Sequence, residues 1–139
     1  MAPPFIAYFG AFQQGSEQPQ LLQAAYDQCR LYRQYLQDPN TLLWKHIELG
    51  SWSDSNLWGT GNAWAAAGMF RVLQTIRLSS SSSSFTQQQA DLATWIEEIV
   101  KAAWSYQVST TAHAHIALAS DQGGRRHRRS PADDRWSHP

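Results

Sequence analysis

Apolar positions along the chain fall into four helical patterns separated by polar breaks. In "MAPPFIAYFGAF" a dense apolar face follows Pro3 and Pro4, whose missing N–H groups are harmless in a first helical turn. A buried helix is therefore expected over Pro3 to Phe12. "GSEQP" breaks it. Leu21, Leu22, Ala25, Cys29, Tyr32 and Leu36 then recur at helical spacing with Gln, Asp and Arg opposite, which predicts an amphipathic helix from about Pro19 to Gln37. "DPN" at 38–40 stops that helix by proline geometry and turn chemistry. Residues 41–61 contain a short strand-like stretch, then lose periodicity and read as a long loop, a common seat of function. A helix of high apolar content follows from about Asn62 to Arg77, and its small residues at 65–68 would let a neighbouring helix come close. "LSSSSSS" reads as a polar linker or surface loop. "TQQQADLATWIEEIVKAAWSY" predicts a last helix with Thr86 as N-cap and Leu92, Trp95, Ile96, Ile99, Ala103 and Tyr106 inward. Beyond residue 106 the Gly, Arg, Ser, Pro and Asp content reads as a disordered tail over 107–139. The expected class is all-α, built of helical hairpins.

The 139 residues and 42% apolar content suit one small domain. Eleven basic and eleven acidic residues leave no net charge, so the whole molecule has no electrostatic reason to seek nucleic acid or an anionic membrane. No wholly apolar run approaches the length of a membrane span. Cys29 is the only cysteine, which excludes an intrachain disulfide and a cysteine-based zinc site. Seven tryptophans and five tyrosines fit either aromatic core packing or a ring-stacking, carbohydrate-type surface. The N-terminus shows no basic n-region and no convincing cleavage site, so no secretory signal is read there. Localisation stays open.

Chemistry concentrates around "LLWKHIELGSWSDSNLWGTGNAW". His46 sits beside apolar residues, a setting more often structural than catalytic. Trp58, Asn62 and Trp64 surround the passage from loop to helix, where free N–H groups bind anionic oxygens. The competing reading makes Gly59 and Gly61 a turn, Asn62 a helix cap and both tryptophans core. Asp54 is the better-placed acid, although a turn-forming role is the ordinary one for an Asp in "SDSN". Glu97 and Glu98 are adjacent on a helix, diverge, and read as solvated rather than as a glycosidase pair. His113 and His115 lack further metal ligands. The basic "RRHRR" at 125–129 reads as a solvated run in a tail.

Taken in order, "MAPPFIAYFGAF", "LLQAAYDQCRLYRQYLQD", "LLWKHIELGSWSDSNLWGTGNAWAAAGMFRVLQTI" and "ADLATWIEEIVKAAW" resemble the fungal branch of the unsaturated rhamnogalacturonyl hydrolases, glycoside hydrolase family 105. The W-x-x-G-N-x-W pattern downstream of "WKH" is the most specific part. The resemblance implies a partial (α/α)6 barrel of the six-hairpin glycosidase type over residues 1–106, with about two hairpins present. It also implies action on the unsaturated galacturonyl residue left on pectin fragments by lyases. In that chemistry an Asp protonates and hydrates the double bond, and no cofactor or metal takes part.

Residue by residue, His46 corresponds to a pocket histidine, Trp58 and Asn62 to the W-x-R-G-N strip, and Trp64 to the next aromatic. Thr60 stands where the strip carries Arg, and a hydroxyl cannot supply bidentate pairing to a substrate carboxylate. The family's catalytic Asp lies before the segment that begins here as "MAPPF", so no catalytic residue is carried over. The expectation is thus a fragment, from a truncated or mis-spliced gene, that binds an oligosaccharide in its pocket and is inactive alone. Barrel-facing apolar surface left uncovered would favour self-association. A full-length relative acting on pectin outside the cell would carry a signal peptide. The competing expectation is a non-catalytic carbohydrate-binding or helical interaction protein.

Overall fold

The computed structural model describes residues 2–106. Its elements are α1 (Ala2–Ala11), α2 (Glu17–Leu36), β1 (Lys45–Ile47), β2 (Asp54–Leu57), α3 (Gly59–Leu78), a 3-10 turn (Ser82–Phe85) and α4 (Thr86–Ser105). The fold is mostly helical, with one two-stranded antiparallel sheet. The expected disordered tail, the histidine pair at 113 and 115 and the basic run all lie outside the described residues.

Helices α1 and α2 pack as one hairpin, α3 and α4 as a second, and α1 also packs on α3. Leu22, Leu43, Met69, Val72, Ile76, Leu92 and Ile99 are fully enclosed between them. Burial of each such side chain contributes about 2 kcal/mol. Leu22, Ala25 and Cys29 on α2, and Leu92 and Ile99 on α4, follow the inward stripes expected from the sequence, whereas Tyr32 and Tyr106, expected on the same stripes, are exposed near the helix ends.

The first helix forms where expected but is buried on one face only. Pro3, Pro4, Ala7 and Gly10 are the buried positions, whereas Phe5, Phe9 and Phe12 are exposed and Phe5 stacks on Phe9. The reason is close approach: a Cβ on Gly10 would stand 2.8 Å from the Leu21 Cβ, so the small face of α1 meets α2 and the aromatic face is turned away.

The serine run does more than link two helices. Gln18, buried at the start of α2, accepts hydrogen bonds on Oε1 from the Ser80 and Ser81 hydroxyls at 2.8 and 2.9 Å. Its Nε2 donates to the Ala11 and Gln13 carbonyls, so one amide satisfies the end of α1 and anchors the serine segment. The chain then turns through 3-10 geometry into α4. Phe85, buried, precedes that helix, and Thr86 is its first residue rather than a side-chain cap; its hydroxyl donates to the Ser83 carbonyl at 3.2 Å.

A polar ladder joins α2 to α4. Gln88 donates to Gln23, Tyr26 donates to Asp91, and Arg33 donates to Glu98. All three pairs are separated by 65 positions, a constant offset that requires the two helices to run parallel. Glu98 is therefore not the solvated partner of Glu97 that adjacency suggested. Its Oε2 receives Arg33 Nη2 at 2.8 Å and Gln37 Nε2 at 3.0 Å, while Glu97 stays outside and pairs with Lys101. Between these rungs Trp95 stacks on Tyr26 with ring centroids 5.5 Å apart, and the Arg33 guanidinium lies 5.4 Å from the Trp95 centroid.

Candidate functional site

Residues 41–61, expected as a short strand-like stretch followed by a long loop, form a β-hairpin: the strand-like stretch is β1, and part of the expected loop is β2. Lys45 pairs with Leu57 and Ile47 with Asp54, with an irregularity in register between them. The strands are three and four residues long, and β2, with the sequence DSNL, is too short and polar for a period-two signal to stand out. The hairpin sets His46 and Asp54 side by side: Asp54 Oδ2 lies 2.9 Å from His46 Nδ1. The other carboxylate oxygen accepts the Asn56 N–H at 3.0 Å, so Asp54 also forms the local turn expected of it. The His46 hydrogen bond first, then that of Asn56, holds the Asp54 carboxyl below the ordinary carboxylate range.

Helix α3 starts three positions before the expected Asn62, with Trp58 in extended conformation as its N-cap residue and Gly59, Thr60 and Gly61 as its first turn. Asn62 consequently does not cap it. It is 2% exposed inside the helix, and its side chain clamps the hairpin base. Oδ1 accepts the Trp44 N–H at 2.7 Å, and Nδ2 donates to the Trp44 carbonyl at 2.9 Å and the Trp58 carbonyl at 3.1 Å. Those bonds tie the residue before β1 to the residue before α3, and hence help set where His46 and Trp58 meet. The two rings meet edge to face, with centroids 5.0 Å apart. Gly61 makes room for this arrangement, because a Cβ there would stand 2.8 Å from Trp58 Cε3.

A cavity of about 300 Å³ opens among these elements. His46, Trp58 and Trp64 line it together with Trp44, Lys45 and Met69, and Pro3 and Pro4 of α1 contribute to the far wall. Three of the five residues singled out from the sequence thus share one cavity. Asn62 lies behind the wall, and Thr60 is exposed on the first turn of α3 and does not line the space. Cys29 closes part of it, and burial pushes its thiol up to about 12. Trp44 Nε1 is a buried donor with no acceptor among the described residues. The lining includes no Asp or Glu among the described residues. It is a mostly apolar wall with a few polar groups, the usual composition of a small-molecule site.

Sequence reasoning missed the His46 to Asp54 pairing and the Trp44 contribution. The pairing would have been legible only from two strands in register, because eight positions separate its members. Among the described residues no cluster of three or more His, Cys, Asp or Glu side chains is arranged to hold a metal ion. No helix among them is long and apolar enough to cross a membrane.

Comparison with known families defines the class as glycoside hydrolase, in keeping with the resemblance seen in the sequence. The sequence model of glycosyl hydrolase family 88 matches residues 1–117, and the chain belongs to that family. A carbohydrate substrate follows from membership. Neither the curated proteins nor the solved structures include a match to the chain.

Proposed function

We propose that the cavity is the sugar pocket of a six-hairpin glycosidase of the unsaturated rhamnogalacturonyl hydrolase type, glycoside hydrolase family 105. The two hairpins would be part of an (α/α)6 barrel, and the pocket would take the unsaturated galacturonyl residue of pectin-derived oligosaccharides. The observation that carries this reading is the convergence of His46, Trp58 and Trp64 on one cavity. Indole faces suit the C–H faces of a sugar ring, and the imidazole supplies a polar contact for its oxygens. Asn62 contributes by positioning Trp58, and Thr60, at the rim of the same helical turn, leaves the pocket without the Arg of the family strip.

Hydration of the enol-ether bond needs a carboxylic acid beside the double bond. The cavity lining holds none among the described residues, which supports the reading of a chain that binds the disaccharide without turning it over. The exposed Phe5, Phe9 and Phe12 face supports self-association of the chain. No nucleic acid, membrane or cofactor enters this reading.

The test uses purified chain, shown to be folded by circular dichroism, with an unsaturated galacturonyl-rhamnose disaccharide. Tryptophan fluorescence reads binding and double-bond absorbance reads turnover. Saturable binding abolished by Trp58→Ala, with the absorbance constant, is the expected result. Turnover would overturn the inactive reading, and binding unaltered in Trp58→Ala would overturn the pocket reading. That no Asp or Glu lines the cavity among the described residues also supports a second reading, a non-catalytic carbohydrate-binding protein. Equal affinity for the saturated and unsaturated disaccharides would select it.

A further inference from the structure

The cavity contains one imidazole whose two nitrogens are in different situations. His46 Nδ1 is 2.9 Å from Asp54 Oδ2, while Nε2 has no hydrogen-bond partner among the described residues. Asp54 is itself held, because its Oδ1 accepts the Asn56 N–H within the hairpin. The ring is steadied from another side by the edge-to-face contact with Trp58, whose position depends on Gly61 and on the Asn62 clamp. Both oxygens of the carboxylate and one nitrogen of the ring are therefore committed within the hairpin, which leaves Nε2 as the ring nitrogen free for a ligand.

We propose that Asp54 is a positioning residue for His46: it fixes the neutral imidazole as the Nδ1–H tautomer and so presents Nε2 to the cavity as a hydrogen-bond acceptor. An ionised carboxylate only accepts hydrogen bonds, so Nδ1 must carry the proton that lies between them. A pocket ligand would then have to donate to Nε2, as a sugar hydroxyl does. The inference selects hydroxyl donors over carboxylate acceptors at this point of the wall. Its ligand part rests on the sugar-pocket reading, whereas the tautomer does not.

Substitution by an amide gives a sharp consequence. In Asp54→Asn the side-chain oxygen can keep the Asn56 N–H and preserve the turn, which places the amide nitrogen against His46 Nδ1. That nitrogen must then accept, and the proton moves to Nε2, the same inversion that an amide imposes when it replaces the aspartate of a catalytic triad.

The experiment is long-range proton to nitrogen-15 correlation of the histidine rings at pH 8, with the His46 signals assigned by their loss in His46→Gln. The native chain should show a pyrrole-type Nδ1 and a pyridine-type Nε2. Asp54→Asn should exchange the two types with an unchanged circular dichroism spectrum, and Asp54→Glu should restore the native pattern. An Nε2–H form in the native chain, or the same pattern in native and Asp54→Asn protein, would overturn the proposal. Affinity for the unsaturated galacturonyl-rhamnose disaccharide should fall about ten-fold in Asp54→Asn, the worth of one hydrogen bond, and no further in the double variant with His46→Gln. Undiminished affinity in Asp54→Asn would overturn the acceptor role. A native chain with the Nδ1–H tautomer that binds no disaccharide would overturn the sugar pocket and leave the Asp54 to His46 relationship supported.

Discussion

The Tyr26 hydroxyl donates a 2.6 Å hydrogen bond to Asp91 Oδ2, joining α2 to α4 across 65 positions of sequence. The two helices are not consecutive in the chain, so the bond reports how one hairpin is set beside the next. Burial first, then the Asp91 hydrogen bond, pushes the Tyr26 phenol up to about 12.

Tyr26→Phe should lower stability by about 1–2 kcal/mol, read from the urea midpoint at neutral pH. The phenol titrates near 10 in the unfolded chain, so its contribution is complete below about pH 10 and disappears as pH rises through the folded value. The stability gap between native protein and Tyr26→Phe should therefore close between about pH 10 and 12. A gap that stays constant over that range would contradict the bond.

Asn62→Ala removes three hydrogen bonds at the hairpin base and leaves the buried Trp44 N–H without its partner. A loss of about 3 kcal/mol is expected in denaturant unfolding, because an orphaned buried donor adds its own desolvation cost. A change below about 1 kcal/mol would mean that the clamp contributes little.

Gly61→Ala tests the Trp58 position. Alanine favours a helix by about 1 kcal/mol, which offsets part of the crowding, so thermal stability should shift by only a few degrees. The new Cβ would fall 2.8 Å from the Trp58 ring, and the ring must move away from His46. The ring-current shift on the His46 protons should fall; unchanged shifts would show that Trp58 does not lie against Gly61.

Cys29 gives a probe of the cavity floor. Its thiol, pushed up to about 12 by burial, is almost wholly protonated near neutrality. Iodoacetamide at pH 8 should modify the folded chain at least about a hundred-fold more slowly than the urea-unfolded chain. Comparable rates would place the thiol in solvent.

Much of the helical framework was readable in advance. The stripe of Leu22, Ala25 and Cys29 on α2 and of Leu92 and Ile99 on α4 repeats at helical spacing, and each points inward as that spacing demands. Helix α1 was expected to be buried, yet only its small-residue face is, because the missing Cβ of Gly10 lets α2 approach there and leaves Phe5, Phe9 and Phe12 exposed. Glu98 was misjudged for a related reason: beside Glu97 it resembles a solvated charge, and its partners Arg33 and Gln37 lie on another helix.

By itself the sequence determined the number and placement of the helices, the aromatic density around residues 44–64 and the kinship to a glycoside hydrolase family. Those properties rest on local spacing, on proline and glycine at particular steps and on residue type, all of which act within a few neighbours. Tertiary structure alone decided that Asn62 is a clamp rather than a cap, that Asp54 faces His46, and that α2 and α4 run parallel through a polar ladder. A buried or half-buried polar group takes whichever partner the packing brings within hydrogen-bond distance, and that choice is made by elements far apart in the chain.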